Sequence, residues 1–103
     1  MKVLNIELFG PIAPVVMAKD EDEAVKIVNS AELVFGAEVW SANKERAKGL
    51  AKRIRASFIT INGKAKPDPR LLFGSLKKSS IGREFSHYGL KEFVNMKTIV
   101  VSK

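Results

Sequence analysis

The chain has 103 residues and no cysteine, so disulfides, thiolate metal sites and a cysteine nucleophile are excluded. Its apolar content is 46%, that of a folded soluble protein able to build one domain with a modest core. The formal net charge of +7 admits a polyanionic partner without requiring one, and is read first as a surface that only solubilises. No apolar stretch nears the roughly 18 residues of a membrane span, and Met1-Lys2-Val3 does not open a secretory leader, so a cytoplasmic location is expected. Glutamine is absent as well, which together with lysine-rich charge leans toward a thermophilic source.

In chain order, Val3 to Leu8 reads as a strand and Ile12 to Met17 as a second extended run, separated by Gly10-Pro11, where proline disfavours helix. Glu7 sits in the first of these. It is either an ordinary edge-strand acid or a carboxylate projecting beside a glycine that a ligand can approach. Asp20 to Ala31 predicts a helix: Asp20 is the N-cap, Glu23 stands at the capping-box offset, and Ala24, Ile27, Val28 and Ala31 share an apolar face.

Gly36 to Ser41 predicts a compact strand, and a helix capped by Asn43 follows with Ala47, Leu50, Ala51 and Ile54 at helical spacing. Phe58 to Asn62 is a β-branched and aromatic strand. Trp40 and Phe58, on strands, are expected in the core. Gly63 to Ser80 reads as a polar loop with two prolines, expected to be mobile unless neighbours order it. Arg83 to Val94 predicts a third helix interrupted at Gly89, and Lys97 to Ser102 a closing strand. The expected order is β-β-α-β-α-β-loop-α-β, an α/β layer with parallel neighbouring strands.

Three features invite chemistry. Lys44, Lys48, Lys52 and Arg55, with Arg46 and Arg53 beside them, form a basic stripe on the second helix. It is a solvated face or a phosphate-contacting one, and no aromatic interleaves with it to stack bases. The stretch from Gly74 to Ser80 lacks the glycine that a phosphate-binding loop places before its lysine, and its S-x-x-K lacks the companion motifs of a serine–lysine hydrolase. His87 is the only histidine, too little for a metal site of ordinary ligand count, and reads as a surface or helix-packing residue.

Taken as an ordered set, the segments resemble the C-terminal part of the aldehyde dehydrogenase superfamily. The matching text is Glu7 to Pro11, Asp20 to Ala24, Asn29, Gly36 to Trp40, Arg46-Ala47, Ile61-Asn62, Phe73-Gly74, Lys77, Ser79, Gly82 to Glu84, Gly89-Leu90, Glu92-Phe93 and Lys97-Thr98. The resemblance implies a fold of alternating strands and helices, in which the last strand, Lys97 to Val101, joins an oligomerisation sheet. It implies that Glu7 hydrogen-bonds the nicotinamide ribose, that Phe9 packs beside the nicotinamide, and that Phe73 lines the substrate mouth. A carboxylate accepts from vicinal hydroxyls, and a ring offers a flat apolar wall.

The family's dinucleotide-binding domain, catalytic cysteine and general-base glutamate would lie upstream. Residues 1–103 therefore read as a single partial domain, with no catalytic residue and no metal of its own and no cofactor expected for the chain alone. NAD or NADP enters only with an upstream half. Expected partners are that half and a second copy of the chain, most simply in a dimer. A small basic nucleic-acid-binding module is the alternative.

The sequence also departs from the family pattern. Ile6 replaces an acid, and Leu33-Val34 stands where Tyr-Gly is common. Ser57, Ser75 and Ser80 stand for glycines, and Leu72 for a proline. Asn95 stands for a glutamate able to pair with Arg83. Lost glycines remove backbone freedom, and the drift suggests a relaxed demand on catalytic geometry.

Overall fold

A computed structural model of the chain describes residue 6 and residues 8–103. The expected strand Val3 to Leu8 falls mostly outside these, and Glu7 lies outside the described residues. The elements run α1 (Glu21–Ser30), β1 (Leu33–Val34), β2 (Gly36–Val39), α2 (Lys44–Arg53), β3 (Phe58–Ile61), β4 (Leu76–Lys77) and α3 (Ser86–Lys91).

The centre is a β2-α2-β3 unit. β2 and β3 pair in parallel, with Gly36 opposite Phe58 and Val39 opposite Ile61, and α2 makes the crossover. This is the expected α/β arrangement. The two long helices start where the caps predict. Asp20 accepts from the Glu23 N–H at 2.8 Å, and Asn43 Oδ1 from the Arg46 N–H at 3.0 Å. Glu23 reaches back to the N–H of Lys19 at 2.8 Å, one residue before the cap. α1 and α2 are joined through their polar groups: Arg46 pairs with Glu21 and Arg53 with Asp22. Asn29 on α1 donates to the Arg53 carbonyl at 2.9 Å and accepts from the Arg55 N–H at 2.7 Å, closing the end of α2.

Asn62 finishes β3 in a left-handed conformation, φ 53°. Its amide accepts from the Ser41 N–H and donates to the Ser41 carbonyl, both at 2.8 Å, so the side chain extends the pairing one step beyond the ladder. Lys77, also left-handed at φ 58°, donates to the carbonyls of Asn29 and Ala31 at 2.8 and 2.6 Å, satisfying the C-terminal end of α1.

Several expectations are corrected. β1 and β4 were not anticipated: they pair antiparallel over two residues each, too short a ladder to leave a period in the sequence. Ile12 to Met17 and Lys97 to Ser102 form no strand, because a strand needs a ladder partner and none faces them among the described residues. α3 is shorter than expected and Gly89 does not interrupt it. Gly89 is buried within the helix, and a Cβ there would lie 2.7 Å from the carbonyl carbon of Glu84. Trp40 is not in the core. It is 63% exposed, on the side of β2 that carries Glu38, and only Val39 between them is buried. Phe58 is half-buried.

The buried apolar core of the described residues is Val39 and Ala47 alone. Phe9, Val15, Met17, Phe93, Met96, Ile99, Val100 and Val101 are each at least 78% exposed. The chain measures 67 × 32 × 22 Å, with a radius of gyration of 17.9 Å, where a compact domain of this length has about 13 Å. Its accessible surface is 8845 Å², against about 5,800 Å² for a compact monomer of its mass.

Candidate functional site

Of the three residues expected to face cofactor or substrate, Phe73 is the one the fold builds upon. Phe73 and Glu84 exchange backbone hydrogen bonds of 2.9 and 2.7 Å, an isolated antiparallel bridge between two loops. The Phe73 ring lies 5.7 Å from that of Phe85, tilted by 39°. Phe85 adopts φ 59° at the start of α3, and the buried Gly89 lets that helix rest on the backbone of Glu84. A non-glycine residue in the left-handed region is uncommon, and here it turns the Phe85 ring toward Phe73. Sequence reasoning missed Phe85; the glycine four residues later was the available signal. An open groove of about 550 Å³ lies on the Phe85 side of this pair, lined by Pro69, Arg70, Phe85, His87, Leu90 and Phe93 but not by Phe73.

Phe9 is elsewhere. It is 91% exposed and forms no aromatic pair with Phe73 or Phe85 among the described residues. His87 is exposed, its ring 4.0 Å from that of Tyr88.

The loop from Gly74 to Arg83 is hydrogen-bonded along its length. The Ser57 hydroxyl reaches the carbonyl of Phe35 at 2.9 Å and that of Gly74. Ser75 is 2% exposed and its hydroxyl bonds that of Ser80. Arg83 donates to the carbonyls of Ser75 at 3.1 Å and Gly82 at 2.7 Å, so backbone oxygens meet its guanidinium. Ser79 accepts from the Val34 N–H at 2.7 Å, and Lys78 pairs with Glu32. Ser57, Ser75 and Ser80, which stand where the family has glycines, each place a hydroxyl in this network.

Two carboxylates are perturbed nearby in sequence. Glu38 is held below its ordinary range by the Ala65 N–H and the Trp40 indole, with Lys64 adding attraction. Asp68 is held at about 2 by hydrogen bonds from the Arg70 side chain and backbone. Glu38 is an exposed strand group and Asp68 a half-buried turn group, and among the described residues no pocket lining joins the two. The basic stripe of α2 is broken: Arg46, Arg53 and Lys48 pair with Glu21, Asp22 and Glu45.

The sequence model of the aldehyde dehydrogenase family matches residues 1–99. The chain belongs to the aldehyde dehydrogenase family. It is 37% identical over 99 residues to an NAD(P)+ succinate semialdehyde dehydrogenase of Escherichia coli, covering 96% of this chain and 21% of that one. It is 38% identical to a probable NADP+ succinate-semialdehyde dehydrogenase of Synechocystis, over 93% of this chain and 21% of the relative. Among solved structures, the succinic semialdehyde dehydrogenase of Streptococcus pyogenes with NADP+ superposes with a TM-score of 0.92 at 33% identity, covering 98% of this chain and 22% of its own. The Mycobacterium tuberculosis aldehyde dehydrogenase complexed with NAD+ gives 0.93 at 28% identity, over 99% and 21%. This aldehyde dehydrogenase chain thus spans about a fifth of the length of the curated relatives it matches. The nucleic-acid alternative finds no support beside this.

Proposed function

We propose that residues 1–103 act as the closing, partial domain of an NAD(P)-dependent aldehyde dehydrogenase and oxidise no aldehyde by themselves. The observation that carries this is the surface. The chain exposes roughly 3,000 Å² more than a compact monomer of its mass, and aliphatic and aromatic side chains at both ends supply much of it. Such an area matches a permanent, largely apolar interface rather than a transient one.

Within the completed enzyme, Glu7 accepts hydrogen bonds from the nicotinamide ribose, Phe9 walls one face of the nicotinamide, and Phe73 lines the substrate mouth. The Phe9 ring is uncovered and next to Gly10, where an added Cβ would meet nothing within 4 Å, so a flat heteroaromatic ring has access to it. The cofactor, when bound, would supply the hydride acceptor for the oxidation of the aldehyde's adduct with the nucleophile. This chain holds no thiol, so the nucleophile comes from residues beyond it. The same open faces favour self-association, most simply as a dimer. No described helix is long and apolar enough to cross a membrane.

The test supplies what precedes this region in a relative. The chain replaces the last fifth of the E. coli enzyme, or is mixed with that enzyme's remaining four-fifths as a separate polypeptide. Reduced nicotinamide should form from aldehyde with either arrangement and not with the chain alone. Tight NAD or NADP binding by the chain alone, or a stable monomer in sedimentation at high concentration, would overturn the reading.

A further inference from the structure

We propose that Ser57 is a positioning residue that fixes the place of Phe73, and that the Ser75–Ser80 pair locks the same loop from its other side. The idea rests on the assignment of Phe73 to the substrate mouth. Ser57 immediately precedes β3, and its one hydroxyl lies between two carbonyls. One belongs to Phe35, between β1 and β2; the other belongs to Gly74, next to Phe73. The hydroxyl carries one proton for these two acceptors, so it donates to one carbonyl at a time or shares the proton between them, and its contact with the Gly74 carbonyl is the one that ties the loop of Phe73 to the start of β3.

On the far side of Gly74, the buried Ser75 is held through its side chain by Ser80 and through its carbonyl by Arg83. The bridge from Phe73 to Glu84 and the contact with Phe85 complete the frame. Phe73 is thus restrained at its own backbone and at the two residues that follow it, with its ring against Phe85. Part-buried hydrogen-bonded networks of this kind favour one arrangement over its neighbours. The backbone that carries Phe73 cannot shift without breaking the Ser57 or Ser80 contact, so a mouth lined by its ring yields less to a bulky acyl chain than to a narrow one.

The experiment uses the joined protein, in which this chain replaces the last fifth of the E. coli relative. Ser57→Ala removes the first bolt and Ser57→Thr keeps a hydroxyl there. Ser80→Ala removes the second from an exposed position, where folding is little at risk. Hydrogen exchange of residues 73–76 should quicken about five- to tenfold in Ser57→Ala and Ser80→Ala, the consequence of losing one net hydrogen bond, and stay near the parent rate in Ser57→Thr. The KM for a bulky aldehyde should fall severalfold relative to that for a short one, with kcat for the short aldehyde unchanged. Unchanged exchange in both alanine variants overturns the proposal. Faster exchange with an unaltered KM ratio leaves the bolt standing and removes Phe73 from the mouth. An inactive joined protein counts against the proposed function, while exchange still decides the bolt.

Discussion

Two glycines inside helices should respond to the same substitution with opposite signs. In a helix interior alanine is favoured over glycine by about 0.8–1.0 kcal/mol. At Gly49, on the exposed side of α2, an added Cβ meets nothing within 4 Å, so Gly49→Ala should realise this gain in full. At Gly89 the same Cβ would sit 2.7 Å from the carbonyl carbon and 3.0 Å from the Cα of Glu84. Both are backbone atoms held by the bridge to Phe73, so relief requires the helix to lift off its neighbour. Overpacking of this kind costs about 1–3 kcal/mol, which outweighs the propensity and leaves a net loss of about 1 kcal/mol. The two variants should differ by about 2 kcal/mol. In urea unfolding followed by far-UV circular dichroism at one protein concentration, Gly49→Ala should raise the midpoint and Gly89→Ala lower it with the slope unchanged. A Gly89→Ala protein at least as stable as Gly49→Ala would show that α3 does not rest on Glu84.

Asn62→Ala should lose both hydrogen bonds to Ser41 and place a Cβ-bearing residue without local bonding at φ 53°, together about 3 kcal/mol. Asn62→Gly should recover only the conformational part, about 1 kcal/mol, in the same unfolding assay. Asp20→Ala should cost about 1 kcal/mol by freeing the first-turn N–H of α1 that the carboxylate now caps, seen as lost helicity and a lower midpoint. The Asp68 carboxyl should titrate near 2 by NMR, and Arg70→Ala should return it toward 3.8. Because the folded value lies below the unfolded one, the stability linked to Asp68 is fully present above pH 3.8 and is lost as pH falls toward 2.

What could be read in advance follows the range of the forces involved. Asp20 and Asn43 announced both long helices because a cap is satisfied within three residues. Gly36 to Val39 and Phe58 to Ile61 announced a parallel pair because α2 lies between them and the pattern is local. The two-residue pairing of Leu33-Val34 with Leu76-Lys77 was invisible, since nothing in either segment names a partner more than forty residues away. The serine ties were invisible for the same reason: Ser57 and Gly74 meet only after the sheet has formed. The Phe73-Gly74 segment matched a motif, but the contact of Phe73 with Phe85 depends on a left-handed turn and a close approach at Gly89 that composition does not encode.

Trp40, Ile12 to Met17 and Ile99 to Val101 failed in a different and more informative way. Their residue types say buried, and for a chain with its own core that inference holds. Here Trp40 is 63% and Val101 88% exposed. Local sequence reports how apolar a position is, whereas burial also needs an atom on the other side. Within the central unit the rule works: Val39 and Ala47, between the sheet and α2, are covered. It breaks where an apolar segment has no opposing layer in this chain. The failures therefore gather at both ends of the chain and on the outer side of β2, and these are the surfaces the proposed interface would cover. The energetic consequence is large. Returning roughly 3,000 Å² to contact, even if half of it is apolar, is worth about 35–40 kcal/mol before the entropy of association and ordering is subtracted. A chain whose folding leaves that much unrealised should be far more stable in the joined protein than alone, and protection of Val39 and Ala47 amides against hydrogen exchange in the two states would measure the difference directly. Equal protection in both would mean that the exposed faces need no cover.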